Sequence, residues 1–597
     1  MCGFFGVVYK DVNKDIGNVL YRAGERLSYR GYDTAGIGVI ENSSIRLKKD
    51  VGKIEDVAKK LNFFEERGKR GLIQLRWATF GFPKYENSQP HLDCTNNLIA
   101  VHNGNIINMH FLKEELQKKG HKFLGENDGE VIVHLVEEEL KKEGNLRESI
   151  LRAVSYLKGD YAFVVTNNRN NKMFAVKRGS SLFGGVGDGF LCVSSDLIAI
   201  LDHTRNIIHL KDNELFEFTS DQYKIIDLHT GREFTREPDI VNISPKMVAK
   251  GGYPHFMLKE INEIPEKGAN LIKMLPRCKN FTKFIENIKD KERVFLVGAG
   301  SSYNSALFGS YLLSKTVGKL FIPSVASEFI EKYGNTVTQE DLVVLVSQSG
   351  ETKDVKNVFD FVEDKADITA LVNVIGSTIG TKSNNVIPIV SDIEISVPAT
   401  KTFTNQIIFF IYLAAKLSGK NGRDIVKIPS LLEQTLDMVK NNKEKKAIVD
   451  YLLNYSDMYS LGYGLSFPIA REGALKLKEV VYTHCEGMES GEFKHGPLSR
   501  LEPGYPVIFS VLPKDNYYTL SHINEVKCRE GKIIVIAPFY KELKKVADFY
   551  IEVPDANDAI LPLLETIPFY LISYEMAVKK GLDPDHPRNI SKTITVD

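Results

Sequence analysis

The first part of this 597-residue chain carries short apolar or β-branched runs bounded by turn residues. Such runs predict strands. They are Gly3–Tyr9, Gly36–Ile40, Gly71–Leu75, Leu98–His102, Tyr161–Thr166, Lys172–Lys177 and Phe190–Ser194. Apolar residues at helical spacing predict helices at about 15–27, 108–119 and 130–143. The alternation favours sheets with helices packed outside them, an α/β/β/α arrangement.

The last part of the chain contains an internal repeat with an offset of 164 residues. In each copy an apolar strand runs into a glycine-containing turn, and further strands follow at nearly the same offset. The matched pairs are Val294–Val297 with Met458–Leu461, Leu342–Val346 with Pro506–Val511, and Ile368–Val374 with Lys532–Ala537. Because apolar strands alternate with helical stretches, each copy is predicted to be an α/β unit with a parallel sheet.

Residues that break regular elements separate the two parts. Pro238, Ser244-Pro245, Gly251-Gly252 and Pro254 lie close together, and a polar helix is expected at Met257–Leu275. A chain of this length is expected to form several domains. The predicted organisation is residues 1–239 as the first domain, 240–285 as a linker, and 286–435 and 436–597 as the two repeated domains.

Composition excludes several classes of protein. The 77 basic and 77 acidic residues cancel, which argues against a nucleic-acid or membrane-surface partner. The longest apolar run, Ile407–Ala415, is too short to cross a bilayer, and the N-terminus lacks the basic leader of a signal peptide. The six cysteines, at 2, 94, 192, 278, 485 and 528, show no C-x-x-C and no zinc spacing. We therefore expect a cytoplasmic protein without a metal or cofactor.

Cys2 combines a nucleophile and a base if the initiator methionine is removed. The thiol and the free α-amine then belong to one residue, and an α-amine titrates near pH ~8. A cysteine after Met1 is usually without chemical consequence, so the rest of the chain has to show whether this one reacts.

Three polar clusters follow: Arg76–Thr79, His102–Gly104 and Asn127–Glu130. An acyl transfer needs donors for a developing oxyanion, and Asn103-Gly104 supplies a side-chain amide and an accessible backbone N–H. An amino-acid substrate also needs ionic partners. Arg76 suits a carboxylate, and Asp128 suits an ammonium group. Taken singly, Asn-Gly is most often a turn and Arg-Trp is most often packing.

Together these residues resemble the class II glutamine amidotransferases, a group of N-terminal nucleophile hydrolases. The motifs are Cys2-Gly3-Phe4-Phe5-Gly6, Tyr29-Arg30-Gly31-Tyr32-Asp33-Thr34-Ala35-Gly36, Arg76-Trp77-Ala78-Thr79, Val101-His102-Asn103-Gly104 and Asp128. The resemblance implies that Cys2 attacks the glutamine amide and that Asn103 and Gly104 form the oxyanion hole.

The same resemblance implies the remaining contacts of glutamine. Arg76 and Asp128 hold its α-carboxylate and α-ammonium groups, and Trp77 and Thr79 belong to the same site. One position departs from the pattern, because Phe80 stands where related sugar-amidating chains often have histidine. His91 is interpreted as a structural residue.

In the repeated part, Ser347-Gln348-Ser349-Gly350-Glu351-Thr352 follows directly on a predicted strand. Hydroxyl groups and backbone N–H groups at the start of a helix favour a phosphate site. A capping box is the alternative, but it needs only one hydroxyl. Ser302 ends another strand of the same unit. No Walker loop occurs, so ATP is not expected.

Residues in three further segments suggest proton transfer and imine chemistry. Helical spacing places Glu472, Lys476 and Glu479 on one face, either as an exposed ion-paired surface or as a buried acid–base group. His495 lies in a predicted turn. Lys592 lies near the end of the chain among apolar and β-branched residues, so the tail is expected to pack into a site where a desolvated amine can form a Schiff base.

These motifs resemble the glucosamine-6-phosphate synthase family over nearly the whole chain. The resemblance implies two tandem sugar-isomerase (SIS) domains after the amidotransferase domain, with glutamine and fructose 6-phosphate as substrates. Ammonia from glutamine is channelled to the sugar, and Trp77 gates the passage. The residues implied to bind the sugar phosphate are Ser302, Ser347, Gln348, Ser349 and Thr352.

The family pattern also assigns catalytic roles in the sugar domains. Glu479 moves the proton between C1 and C2 with Lys476 nearby, and Lys592 forms the imine. His495 assists ring opening and comes from the partner subunit, which implies a homodimer. Ala399 stands where the family has a serine, so one side-chain hydroxyl is absent.

Two other functions are compatible with parts of the sequence. A phosphoribosyl-pyrophosphate amidotransferase shares the first domain, but it needs an acidic diphosphate motif and a Mg²⁺ site, which the sequence lacks. A non-catalytic sugar-phosphate sensor has no need of Cys2, Glu479, His495 or Lys592.

Overall fold

The computed structural model describes residues 2–11, 14–41, 43–241, 249–419 and 422–593. The chain divides into two compact units, one formed by Met1–Ala249 with Thr593–Asp597 and the other by Lys250–Lys592. Met1, the Ser244-Pro245 pair and the last four residues of the predicted tail lie outside the described residues.

The first unit contains two antiparallel sheets. Its strands are β1 (Gly3–Tyr9), β2 (Thr34–Glu41), β3 (Ser44–Val51), β4 (Arg70–Arg76), β5 (His91–Leu92), β6 (Leu98–Ile106), β7 (Gly159–Asn167), β8 (Met173–Arg178), β9 (Phe183–Gly187), β10 (Phe190–Ser194), β11 (Asn206–His209), β12 (Glu214–Phe218), β13 (Tyr223–Asp227), β14 (Glu233–Phe234) and β15 (Asp239–Ile240). One sheet has the strand order β15-β11-β9-β10-β1-β4-β2-β3, and the other has the order β14-β13-β12-β8-β7-β6-β5.

The helices of this unit cover the outer faces of the two sheets. They are α1 (Ile16–Leu27), α2 (Ile54–Lys60), α3 (Met109–Lys118), α4 (Glu130–Glu143), α5 (Leu146–Tyr156) and α6 (Leu197–Leu201). All seven predicted strands and all three predicted helices of this part are confirmed within a few residues at their ends.

Side-chain alternation along β1 explains the layers. Phe5 and Val7 pack with α1, α2 and α6, whereas Phe4 and Val8 pack against the second sheet. Successive side chains of a strand point to opposite faces, so one strand contributes to two cores. Helices α3, α4 and α5 cover the far side of the second sheet. The predicted α/β/β/α arrangement is therefore confirmed.

The second unit contains two parallel sheets. Its strands are β16 (Arg293–Gly298), β17 (Phe321–Val325), β18 (Asp341–Ser347), β19 (Asp367–Val372), β20 (Val386–Pro388), β21 (Asp457–Gly462), β22 (His484–Glu489), β23 (Pro506–Ser510), β24 (Lys532–Ala537) and β25 (Phe549–Glu552). The strand orders are β17-β16-β18-β19-β20 and β22-β21-β23-β24-β25, so the predicted repeat is confirmed.

The helices of the second unit pack around and between the two sheets. They are α7 (Phe256–Met274), α8 (Lys279–Asp290), α9 (Ser301–Val317), α10 (Ala326–Tyr333), α11 (Lys353–Val362), α12 (Thr378–Lys382), α13 (Lys401–Leu417), α14 (Ile428–Lys440), α15 (Lys443–Leu452), α16 (Phe467–Val481), α17 (Asn516–Lys527), α18 (Lys541–Val546) and α19 (Leu561–Lys579). A single apolar cluster includes Met257 of α7, Phe410 of α13, Leu477 of α16 and Phe569 of α19. The two repeats thus share a core.

Strand order determines where ligands collect in such sheets. In the first repeat the chain moves from β16 to β17 on one side and then to β18 on the other side of β16. The carboxyl ends of β16 and β18 therefore flank a topological switch point, where α/β sheets bind ligands. No helix in the described part of the chain combines the length and hydropathy needed to cross a membrane.

Candidate active sites of the two units

Cys2 lies immediately before β1 and beside the turn that follows β4. Its Sγ is 3.6 Å from the carbonyl oxygen of Trp77. The turn approaches Gly31 closely, because a Cβ there would lie 2.7 Å from the carbonyl carbon of Arg76. Asp33 Oδ2 accepts a hydrogen bond of 2.7 Å from Ala78 N. The Tyr29–Gly36 motif therefore positions the turn next to Cys2.

Arg76 ends β4 and its side chain is fully buried. Its Nη2 donates to Phe80 O and, at 2.9 Å, to Gly81 O. Its Nε and Nη1 have no hydrogen-bond partner among the described residues. Burial lowers the pKa of the guanidinium, and the nearby Cys2 and Asp128 oppose this effect. Arg76 thus offers unpaired donors close to both residues, as a carboxylate ligand requires.

Asn103 and Gly104 lie on β6. Asn103 Oδ1 accepts a 3.0 Å hydrogen bond from Gln74 Nε2, whereas its Nδ2 is buried without a partner. The hydrogen bond from Gln74 fixes the orientation of the Asn103 amide and leaves its Nδ2 donor available. Gly104 has φ +111, and a Cβ there would lie 2.1 Å from Asp160 O. Only glycine fits this backbone, which suits an oxyanion hole made of a side-chain amide and a backbone N–H.

Asp128 is 2% exposed and belongs to the same neighbourhood. Its Oδ2 accepts a hydrogen bond of 3.0 Å from Ile106 N, and its Oδ1 lies 3.9 Å from His102 Nδ1. Burial lowers the pKa of His102, with Asp128 opposing it. Asp128 therefore lies near Arg76, and its contact with a substrate ammonium stays a prediction.

Other residues predicted for the glutamine site differ in exposure. Trp77 is half-buried and Thr79 is exposed. His91 Nε2 lies 3.1 Å from Asn127 Oδ1 in a buried setting. Burial, with Lys49 adding to it, lowers the pKa of His91 to about 3. A neutral imidazole bonded to the residue before Asp128 agrees with the structural interpretation of His91.

The predicted phosphate segment leaves the carboxyl end of β18. Gly350 N donates to Ser347 Oγ at 3.0 Å, and Ser347 Oγ lies 3.4 Å from Thr352 Oγ1. Thr352 is the N-cap of α11, but its side chain makes no capping hydrogen bond. The capping-box alternative therefore does not account for this hydroxyl.

The backbone of the Ser347–Thr352 segment requires glycine at position 350. Gly350 has φ +64, and a Cβ there would lie 2.0 Å from Ser377 Oγ. Ser302, in the first turn of α9 shortly after β16, accepts a 3.0 Å hydrogen bond from Gln406 Nε2. In the second repeat β23 runs into Val511-Leu512-Pro513 instead. The hydroxyl cluster is thus confined to the first repeat.

Helix α16 carries the predicted acid–base group. Lys476 Nζ donates to Glu479 and lies 3.2 Å from Glu472 Oε1, and all three side chains are on one face. Glu472 also accepts hydrogen bonds from Ser301 and Asn304 of α9 at 2.8 and 2.9 Å. The face is buried rather than exposed, since Lys476 is 0% accessible.

The protonation of this group follows from its surroundings. Burial works to lower the pKa of Lys476, but Glu472 and Glu479 together raise it. Burial raises the pKa of Glu479, although Lys476 and Lys592 work against it. A carboxyl whose pKa lies above its usual range is suited to accept and return a proton near neutral pH.

Lys592 binds a partner that the sequence did not indicate. Its Nζ lies 2.5 Å from Glu394 Oε2, and the Glu394 side chain is completely buried. Burial alone raises the pKa of Glu394, but Lys592 and hydrogen bonds from Thr402 and Thr400 outweigh it and bring the pKa below the usual range. Within the described part of the tail, the Lys592 amine is buried and lies against a carboxylate rather than in apolar surroundings.

The tail also forms one wall of a cavity. The cavity has a volume of about 410 Å³, and Glu479 and His484 line it together with Arg588–Ile590. Arg588 N donates to the Tyr482 hydroxyl at 2.6 Å, which fixes the tail against the end of α16. Glu479 lines this cavity, and the charge of Lys592 acts on Glu479 from nearby.

His495 has a different setting. It lies in the turn Gly491–Gly496, as predicted, and it is exposed. Its role, and its supply by a partner subunit, stay predictions.

Sequence reasoning missed Gln74, Ser301 and Glu394. Gln74 had a detectable signal, since it is a polar residue inside the apolar run Gly71–Leu75. Glu394 had none, because its partner Lys592 lies 198 positions away.

Comparisons with known proteins agree with this two-part arrangement. Residues 79–202 match the family model described as "Glutamine amidotransferase domain", and residues 287–416 and 451–580 match that described as "SIS domain". The fold and sites thus define a glutamine amidotransferase joined to tandem sugar-isomerase domains.

Curated relatives extend the match to the whole chain. Glutamine–fructose-6-phosphate aminotransferase (isomerizing) is 39% identical in Aquifex aeolicus and 38% identical in Pyrobaculum aerophilum, over 100% of this chain and of each relative. The C-terminal domain of glucosamine-fructose-6-phosphate aminotransferase from Francisella tularensis is 32% identical, with a TM-score of 0.52, and covers 57% of this chain and 100% of that structure. The chain belongs to the isomerizing glutamine–fructose-6-phosphate aminotransferase family.

The free amide donor of Asn103 gives a first prediction. In Asn103→Ala we expect kcat for glutamine hydrolysis to fall about 10²- to 10³-fold with little change in KM, because a donor to the oxyanion is lost. Asn103→Asp keeps the shape and the acceptor to Gln74 but removes the donor, so it should lose a similar factor. Full kcat in Asn103→Asp, measured as glutamate release, would contradict the assignment.

Proposed function

We propose that this protein converts glutamine and fructose 6-phosphate into glutamate and glucosamine 6-phosphate. The observation that carries the proposal is the proximity of the buried Lys592 amine to Glu479, which lines a cavity, in a chain whose other unit holds Cys2 near Arg76. A sugar-phosphate sensor has no use for a buried amine paired with Glu394. The alternative function, that of a phosphoribosyl-pyrophosphate amidotransferase, would not explain why the chain contains two SIS domains.

The first unit supplies ammonia in this proposal. The Cys2 thiol attacks the side-chain amide carbon of glutamine, and the α-amine of Cys2 takes up the thiol proton once Met1 has been removed. Asn103 Nδ2 and Gly104 N donate to the oxyanion. Ammonia leaves, and water then hydrolyses the thioester to give glutamate. Arg76 and Asp128 hold the α-carboxylate and α-ammonium groups.

The second unit consumes the ammonia. Ser302, Ser347, Gln348, Ser349 and Thr352 bind the sugar phosphate at the switch point. Lys592 condenses with the C2 carbonyl and releases water, and ammonia then displaces the lysine to leave a C2 imine. Glu479 removes a proton from C1 and returns it to C2, so that the imine becomes an amine and C1 becomes an aldehyde. The reaction is an internal redox exchange and needs no cofactor.

Ammonia has to stay neutral to act as a nucleophile. In water at pH 7 it is mostly ammonium, whereas a dry passage keeps it unprotonated. We assign Trp77, half-buried after Arg76, as the gate of that passage. The six cysteines are free thiols, which supports a cytoplasmic location.

Separate variants test the two half-reactions. Cys2→Ala should abolish glutamate release but keep fructose 6-phosphate binding.

Lys592→Arg should keep glutamine hydrolysis and lose amino-sugar formation, because a guanidinium pairs with Glu394 but does not form an imine at neutral pH. Lys592→Ala is less suitable, since it leaves a buried carboxylate unpaired.

The measurement is a joint assay of glutamate and glucosamine 6-phosphate, with borohydride trapping of Lys592 by fructose 6-phosphate. Undiminished glutamine use by Cys2→Ala would disprove the nucleophile. Amino-sugar formation by Lys592→Arg at the full rate would disprove the imine.

We propose a homodimer in which His495, which is exposed in the single chain, completes the partner's site. Mixing His495→Ala chains with Glu479→Gln chains tests it. If His495 acts in the partner's site, each mixed dimer has one site with both intact residues, and amino-sugar formation should recover. If both residues act within one chain, every site stays defective and no activity returns. The pure variants, refolded alone, are the controls.

A further inference from the structure

Four side chains that ligate metals meet in the first unit, and none has a role in the proposed reaction. They are Cys94, His121, His134 and Glu137. Cys94 lies between β5 and β6, His121 lies after α3, and the other two lie one helical turn apart on α4. Three separate segments of chain therefore contribute to one cluster.

The ligand atoms converge on one point. Cys94 Sγ lies 3.7 Å from His121 Nδ1 and 3.5 Å from His134 Nδ1. Glu137 Oε2 lies 3.1 and 3.2 Å from the same two nitrogens. All four atoms are within 4.8 Å of one another.

The four sulfur–nitrogen and oxygen–nitrogen separations match a tetrahedral zinc site, and within the 4.8 Å limit the remaining pairs need to close only slightly around an ion. With Zn–S near 2.3 Å and Zn–N near 2.0 Å, sulfur and nitrogen ligands at tetrahedral angles lie about 3.5 Å apart, and nitrogen and oxygen ligands lie about 3.3 Å apart. The observed distances fall close to both values. A thiolate, two imidazoles and one carboxylate form a ligand set that suits zinc better than magnesium or calcium.

Burial and outer contacts are also those of a metal site. The side chains of His121, His134 and Glu137 are 0%, 2% and 5% exposed. His121 Nε2 lies 3.2 Å from Glu138 Oε2, which fixes the ring with Nδ1 facing the cluster. Lys122 N donates to Cys94 Sγ at 3.4 Å, so the segment that carries His121 also holds the sulfur at the cluster.

The alternative is a hydrogen-bond network around Glu137. Its Oε2 also accepts from Cys94 N at 3.1 Å, so three donors would compete for one oxygen. Lys141 Nζ lies 3.4 Å from Glu137 Oε1 and 3.4 Å from His121 Nε2. This network satisfies the carboxylate, but it does not require the sulfur to face both imidazoles.

We propose that Cys94, His121, His134 and Glu137 bind one zinc ion in a closed, structural site. Four protein ligands leave no position for a substrate or for a reactive water. The ion would tie the loop after β5 and the segment before α4 to α4 itself. Asp128 lies directly before α4, so the metal would stabilise the backbone that carries the glutamine site.

Thiol labelling in the unaltered full-length chain tests the proposal first. Cys94 and Cys528 are both exposed, so Cys528 is an internal control. After stripping with a chelator, added Zn²⁺ should protect Cys94 from alkylation and leave Cys528 unprotected, as read by peptide mass spectrometry. Co²⁺ in place of Zn²⁺ should give tetrahedral d–d bands with a thiolate charge-transfer band.

Variants locate the ion. The chain should hold about one equivalent of zinc, and His134→Gln should lose it. His110→Gln, at an exposed histidine of the neighbouring α3, should keep it. Cys2→Ser should also keep it, which separates this site from zinc bound to the reactive thiol.

Three outcomes would overturn the proposal: equal labelling of Cys94 with and without zinc, full zinc content in His134→Gln, or zinc that disappears only in Cys2→Ser. If His134→Gln does not fold, the labelling of Cys94 in the unaltered chain decides. None of these readouts depends on the proposed reaction.

Discussion

The ion pair between Lys592 and Glu394 connects the end of the chain to the interior of the second unit. Glu394 is completely buried, and it also accepts hydrogen bonds from the start of α13 through Thr400 and Thr402. Nearby Glu260 of α7 accepts from Ile395 N at 2.6 Å. Burial and the charge of Glu394 raise the pKa of Glu260 to about 8. The Glu394-Ile395 segment therefore contacts α7 through Ile395 N, and α13 and Lys592 through the Glu394 carboxylate. Removing Lys592 would leave a buried charge unpaired.

Buried polar groups that need a partner also determine the glutamine site. Arg76 is fully buried but keeps two guanidinium nitrogens without partners among the described residues. Asn103 keeps a free amide donor, because Gln74 occupies its oxygen. Unsatisfied buried donors are costly, so they are expected where a ligand completes them. In the first unit the substrate groups would supply the interactions that Arg76 and Asn103 leave open.

Local patterns were sufficient to predict the fold. Strands β1 and β10 begin and end at the predicted residues, because alternation and turn residues are local signals. The repeat of the second unit was detectable for the same reason. Residues such as Cys2, Asn103 and Glu479 were identified from motifs, and the structure places them beside partners of suitable chemistry.

Contacts between distant residues were not predictable. Glu394 meets Lys592 across 198 positions, and no spacing rule links them. The zinc-site candidates fail the usual spacing rules because Cys94 and His121 come from separate loops. Their proximity depends on α4 packing beside those loops, which is a tertiary property. Gln74 is visible in the sequence as a polar residue in a strand. Its hydrogen bond to Asn103 can be recognised only once the relative positions of β4 and β6 are known.

The central claim is that glutamine nitrogen reaches the sugar within this protein. The most direct measurement is incubation of the full chain with glutamine labelled with ¹⁵N at the amide, fructose 6-phosphate and an excess of unlabelled ammonium. The account predicts equal amounts of glutamate and glucosamine 6-phosphate, with ¹⁵N in the amino sugar. Glutamate without amino sugar, or amino sugar that carries the unlabelled nitrogen, would contradict it.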